Sequence, residues 1–305
     1  MKKRSAFLFC FLILFVFSAG GCLKADEALP VLTEEVRVTI PGMKGEVTLL
    51  WLSDLHMVVP GESADPACAD SISARSAYSS WEGQTAEAQW NGWVDAVNAA
   101  DADAVIFGGD ILDLCSREGT ESLKNGFGRL NKPFLYLRAD HDLLPTYLSG
   151  VDEGMCAGWQ SALCENADVM SMEFDDFIVV GWNNSTSNVS DAGLERFREL
   201  AESGKPLILL THVPIEPLSD DSLAAASEAA YDGRSLIWGY RNAAYWPEEN
   251  TRKLLDLLYA EDSPFVAVFC GHLHLSWDGQ LTDRVREHVF PAAFSRQMGV
   301  IRVGG

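Results

Sequence analysis

Leu135-Tyr136-Leu137-Arg138-Ala139-Asp140-His141-Asp142 changes character halfway along. Its first three residues are apolar and suit a buried strand. Its last three are Asp-His-Asp. A buried strand that ends in a histidine between two carboxylates sets chemistry at the edge of a sheet. A solvated turn after a strand can read the same way, because Asp is common in turns. The rest of the chain decides between the two.

Four other apolar runs end alike. Residues 47–52 lead into Ser53-Asp54-Leu55-His56, and residues 104–107 into Gly108-Gly109-Asp110-Ile111-Leu112-Asp113. Residues 206–210 lead into Thr211-His212, and residues 265–269 into Cys270-Gly271-His272-Leu273-His274. The chain has 6 histidines, and only His288 lies away from these strand ends. Histidines of solvated turns would scatter, so the clustering overturns the solvated-turn reading.

The connections between the runs give the fold class. Trp90, Trp93, Val94 and Val97 fall at helical spacing, as do Leu123, Phe127 and Leu130. Ser190 is placed to cap a helix with Leu194, Phe197 and Leu200 on its apolar face, closed by Gly204. Pro247 starts another that runs to about residue 259. Residues 35–40 alternate as a half-exposed strand, and residues 169–174 and 177–182 flank Asp175-Asp176 as a hairpin. Residues 289–290 and 300–303 read as closing strands. This βαβ-like rhythm predicts an α/β fold whose strand C-termini converge on one edge. Residues 57–84, 143–168 and 213–246 show no clear period and read as long loops, where substrate choice would lie. Arg75, Tyr78, Trp81, Arg234, Tyr240, Arg241, Tyr245 and Trp246 are candidates there for gripping a substrate.

At 305 residues with 48% hydrophobic composition, the chain can bury a sizeable core. Its net charge of −21 argues against nucleic acid as a partner, since a polyanion is repelled. A small anionic substrate held locally by metal ions remains compatible. Lys2, Lys3 and Arg4, the apolar run of residues 6–17, and Ser18-Ala19-Gly20-Gly21-Cys22 resemble a bacterial lipoprotein signal. Residues 1–21 would be removed and Cys22 lipidated, with an ordinary secretory signal as the alternative. The product is expected to be exported, anchored to a membrane by its lipid or secreted, with residues 23–34 as a tether and residues 35–305 as a single domain. Of 7 cysteines, Cys156 and Cys164 stand close enough in sequence for a disulfide outside the cytoplasm. There is no Cys-x-x-Cys, so a thiolate zinc site is not expected.

Asp and His without Cys form an oxygen and nitrogen ligand set that suits Mn, Fe or Zn, with enough ligands for two ions. Two ions roughly 3.5–4 Å apart clamp a phosphoryl group and turn water into hydroxide at neutral pH.

In order, the blocks read Asp-x-His (54–56), Gly-Asp-x-x-Asp (109–113), Asp-His-Asp (140–142), a single His (212) and Gly-His-x-His (271–274). The series resembles the calcineurin-like metallophosphoesterases over residues 54–274. The resemblance implies a two-sheet α/β sandwich and hydrolysis of a small phosphomonoester or phosphodiester by a hydroxide held between two divalent ions. It implies Asp54, His56 and His274 on the first ion, Asp110 bridging, and Asp140, His212 and His272 on the second. His141 would be the proton donor or oxyanion stabiliser at the leaving group, oriented by Asp142, and Asp113 would hold a ligand in place. The family's usual Gly-Asn-His-Asp is here Ala139-Asp140-His141-Asp142. The added charge at Asp140 should bind cations more tightly and leave them less electrophilic, and Ala139 implies an ordinary backbone conformation at that turn. A non-enzymatic member of the fold, used for binding or scaffolding, is the alternative, although no ligand is lost.

Overall fold

The computed structural model describes residues 31–163, 168–186 and 188–305. The signal-like segment, Cys22, most of the tether and Cys164 of the expected cysteine pair lie outside them. In order, the elements are β1 (Leu32–Thr39), β2 (Glu46–Leu52), α1 (Ala69–Tyr78), α2 (Ala86–Ala99), β3 (Ala104–Gly108), α3 (Arg117–Phe127) and β4 (Phe134–Leu137). There follow α4 (Asp140–Leu143), α5 (Glu153–Gln160), β5 (Val169–Glu173), β6 (Ile178–Trp182), α6 (Asp191–Glu202) and β7 (Leu207–Thr211). The chain closes with α7 (Ser222–Ala230), α8 (Glu249–Tyr259), β8 (Phe265–Cys270), β9 (Trp277–Gln280), β10 (Arg286–Val289) and β11 (Gln297–Gly304).

Two sheets face each other. One has the strand order β1-β11-β2-β3-β4, the other β5-β6-β7-β8-β10-β9. Strand periodicity explains the layers. In β2, Leu49 and Trp51 point between the sheets to Ile106, Leu135, Ile208, Phe269 and Phe290. Leu50 and Leu52 point the other way, to Trp90, Trp93 and Val97 of α2 and Leu123 of α3. On the outer face of the second sheet, Phe197 of α6 and Leu254, Leu255 and Leu258 of α8 cover Val180, Leu209 and Val268. The central strands are therefore buried on both faces, which is why they read as unbroken apolar runs. The result is a two-sheet α/β sandwich with helices outside.

The helices begin where their caps are. The side chains of Thr85, Ser116, Asp152 and Ser190 accept from the backbone N–H of Ala88, Gly119, Met155 and Gly193 at the starts of α2, α3, α5 and α6.

Several expectations are corrected. Residues 57–84, 143–168 and 213–246 are not loops throughout, since they contain α1, α5 and α7. Alanine and serine build α1 and α7 without an apolar stripe, and α5 is too short and glycine-broken to show one, so periodicity gave no signal. The first strand starts at Leu32, inside the expected tether, because its backbone pairs in parallel with β11. β9, too short and polar to stand out, was not anticipated. Cys156, whose expected partner Cys164 lies outside the described residues, turns its Sγ to the Cys115 carbonyl oxygen at 3.4 Å. Among the described residues, no helix is long and apolar enough to cross a membrane.

Candidate metal centre

The site forms where the C-terminal ends of β2, β3, β4, β7 and β8 meet. Past their strands, the segments after β2 and β3 stay zipped side by side. Asp54, His56 and Met57 donate backbone N–H bonds to Gly109, Asp110 and Ile111, each at 2.9 Å. This parallel extension carries Asp54 and His56 beside Asp110. Two glycines are demanded by the crowding. At Gly109, with φ of +95°, a Cβ would lie 2.7 Å from His212 Nδ1. At Gly271, it would lie 2.4 Å from Asp54 Oδ2.

Five candidate ligands adopt left-handed backbone conformations: Asp54 (φ 56°), His56 (52°), Asp110 (52°), His272 (70°) and His274 (52°). Non-glycine residues enter this region at a cost, and they persist where surrounding contacts over-determine them, typically at functional sites.

The side chains gather as two clusters with ligand spacing. Asp54, His56 and His274 form one, and Asp110, His212 and His272 the other, with the ligand atoms of each within 4.8 Å of one another. Asp110 joins them. Its Oδ2 lies 3.1 Å from His212 Nε2 and 3.7 Å from His56 Nε2. A third overlapping cluster holds His56, Asp113 and His141.

Three of the four ligand histidines are fixed through Nδ1 so that Nε2 faces inward. His56 Nδ1 is bound by Asp113 Oδ1 at 2.9 Å, His212 Nδ1 by the Gly108 carbonyl at 2.9 Å, and His274 Nδ1 by Tyr78 Oη at 3.0 Å. With Nδ1 carrying the proton, the Nε2 lone pair is free for a cation. The donor set fits divalent ions on this chain's own geometry. Asp110 Oδ1, Asp140 Oδ1 and His272 Nε2 are buried without a hydrogen-bond partner, and His56 Nε2 meets His274 Nε2 at 3.1 Å. Buried polar atoms are normally paired, and two facing imine nitrogens are reconciled by a cation between them.

Electrostatics agree. Burial raises the Asp54 carboxyl, but His212 and His274 outweigh it and hold it at about 2. Burial and the positive charge of His212 push His272 down to about 3, so that ring is neutral. Burial would lower His212 as well, yet Asp110 and Asp54 carry it up to about 10. Its proton marks where a cation belongs, and a metal would displace it.

Asp140 stands apart from the two clusters. It is raised, first by burial and then by the charge of Asp110. Ala139 is extended (φ −112°, ψ −178°), the ordinary conformation expected without glycine.

The expectation for Asp142 is corrected. Its carboxylate does not hold His141. Oδ2 accepts from Asp110 N at 2.8 Å and Ala139 N at 2.9 Å, and Oδ1 accepts from Leu112 N at 2.8 Å. Successive residues of a helix point about 100° apart, so Asp142 turns under the loop while His141 turns outward. His141 is oriented by Asp113 instead, its Nδ1 lying 3.0 Å from the Asp113 carbonyl oxygen and 3.5 Å from Oδ1.

Of the expected substrate-gripping residues, three reach the centre. Arg75 grips both oxygens of Asp113, Tyr78 holds His274, and the Tyr245 ring lies 6.1 Å from that of His272. Arg241 is committed to Glu216, and Arg234 Nε donates to the Tyr231 carbonyl. Trp81, Tyr240 and Trp246 stay exposed without a described contact to the ligands. Three contributors went unseen in the sequence. Phe294 packs edge-on against His274 at 5.2 Å, and Tyr231 Oη donates to the His272 carbonyl at 3.2 Å. Asn184 Oδ1 accepts from His212 N and Val213 N. Asn183-Asn184, a polar pair ending an apolar strand, was the available signal for the last.

No curated protein matches the chain in sequence. Among solved structures, a dimetal phosphatase from Danio rerio is similar with a TM-score of 0.48 at 10% identity, covering 82% of this chain and 88% of that one. The family model of the calcineurin-like phosphoesterases matches residues 47–276, a span that takes in every block quoted above. On that match, the chain belongs to the calcineurin-like phosphoesterase family.

Proposed function

We propose that this protein hydrolyses phosphoester bonds of small substrates with two divalent metal ions. The supporting observation is the pair of ligand clusters joined at Asp110. Asp54, His56 and His274 would hold one ion, and Asp110, His212 and His272 the other. When bound, such ions neutralise charge on the phosphoryl oxygens and lower the pKa of a water.

The chain itself supplies the proton. His141 commits Nδ1 to the Asp113 carbonyl, which leaves Nε2 for the substrate. Burial alone would lower its pKa, but Asp110, Asp113 and Asp140 raise it above the usual histidine value. A proton held at Nε2 is thus available to the departing alkoxide, the role of a general acid. Phe294 and Tyr245 pack edge-on against the His274 and His272 rings. Export with a lipid on Cys22 is part of the same proposal, and labelling with a palmitate analogue tests it.

The direct test is turnover of an aryl phosphate and a bis-aryl phosphodiester by Mn-loaded protein. Hydrolysis that chelation abolishes is expected. Two bound ions with no hydrolysis of either ester would favour a binding or scaffolding role.

A further inference from the structure

Helix α1 is unusual in this fold because none of its residues is buried. A groove of about 590 Å³ lies between its Ile72, Ser76 and Ala77 face and Val58, Pro60 and Ala64. The helix therefore has little apolar packing to hold it down. Among the described residues, its side-chain hydrogen bonds to the rest of the fold come from Arg75 and Tyr78, one turn apart.

Both reach the same metal cluster, Tyr78 directly at His274 and Arg75 through Asp113, which holds His56. Arg75 Nε lies 3.1 Å from Asp113 Oδ1 and 2.9 Å from Oδ2, and Nη2 also reaches Oδ1. Asp113 Oδ1 in turn takes the proton of His56 Nδ1. Tyr78 Oη meets His274 Nδ1 at 3.0 Å, and its ring packs on Phe294 at 5.3 Å between centroids. The Arg75 guanidinium sits 5.4 Å from the Tyr78 ring centre, so the two anchors brace each other. In the other cluster His212 is fixed by the Gly108 carbonyl at the end of β3, and Tyr231, at the end of α7, reaches only the backbone carbonyl of His272.

We propose that α1 is a cover latched by the first metal cluster, with Arg75 and Tyr78 as the positioning residues that set His56 and His274. This rests on the metal-dependent reading above. An ion on Nε2 of His274 requires the Nδ1 proton that Tyr78 accepts, and an ion on His56 strengthens its bond to Asp113. Ion binding therefore tightens both anchors, and a docked helix binds the ion better, since linkage is reciprocal. The two ions consequently differ: the one at Asp54, His56 and His274 is released together with α1, and the other is not.

Titration of the protein with Mn²⁺ by calorimetry, together with hydrogen exchange over residues 69–78, tests this. Wild type should take up two ions, and its α1 amides should exchange more slowly when loaded. Tyr78→Phe, which keeps the ring, and Arg75→Gln should each weaken one ion about ten-fold or more and spare the other, as expected for partners that orient a ligand. Arg75→Lys should recover part of the loss. Wild-type affinity for both ions in Tyr78→Phe and Arg75→Gln, or α1 exchange indifferent to Mn²⁺, would overturn the latch alone. A wild-type protein that binds no Mn²⁺ would overturn the metal-dependent reading itself.

Discussion

His56 Nε2 and His274 Nε2 face each other at 3.1 Å, though the residues are 218 positions apart in the chain. Each ring has given its other nitrogen to a fixed partner. Metal binding should relieve this contact, so saturating Mn²⁺ should raise the melting temperature. At one hundred times Kd the gain is about 2.7 kcal/mol per site. Chelator should reverse it, and His274→Ala should bind one ion fewer. Melting curves that ignore both Mn²⁺ and chelator would argue against resident ions.

Asp142 satisfies three buried backbone N–H groups. Asp142→Ala leaves them without an acceptor and should cost about 3 kcal/mol or more, since each unsatisfied buried group costs roughly 1–3 kcal/mol. Asp142→Asn keeps an acceptor oxygen and should lose less. Urea unfolding measures both. A loss below about 1 kcal/mol in the alanine variant would mean that water replaces the carboxylate freely.

His141 contributes a proton rather than a ligand in the proposed mechanism. His141→Ala should lower kcat by about 10²–10⁴ while metal content stays at the wild-type level. Undiminished turnover, with the metals still bound, would remove His141 from the chemistry.

Glu287 lies fully buried under the strand ends, with Oε1 accepting from Ile215 N at 2.8 Å and Cys270 Sγ 3.6 Å away. Burial lifts its carboxyl from the ordinary 4.5 to about 8. The folded protein thus holds a proton that the unfolded chain releases. The stabilisation is complete below about 4.5 and is lost as pH climbs through about 8. Glu287→Gln is uncharged throughout, so its advantage over wild type should grow between those values and then level off. Urea midpoints near both ends of that window are the measurement. Parallel pH profiles for variant and wild type would show that Glu287 titrates normally.

Strands buried on both faces were legible because nothing but apolar residues can fill them. So were the five strand-end clusters, because their ligands are placed by strands whose ends the sequence marks. Helices α1 and α7 were not legible, since alanine and serine carry no facial pattern, and α5 is only eight residues long with two glycines. The role of Asp142 differs from the one the resemblance implies. The family resemblance implied that Asp142 orients His141, whereas the helical turn at Asp140–Leu143 sends the two side chains apart. Tyr78 and Phe294 join at His274 only through tertiary packing, which no local spacing encodes.

The left-handed backbone at Asp54, His56, Asp110, His272 and His274 carries a consequence for descent. At each of these positions glycine would relax the chain and erase a ligand in the same step. Decay of the metal centre in descendants of this protein therefore runs downhill in backbone energy. A relative that had lost its ions in this way would still present the same sandwich.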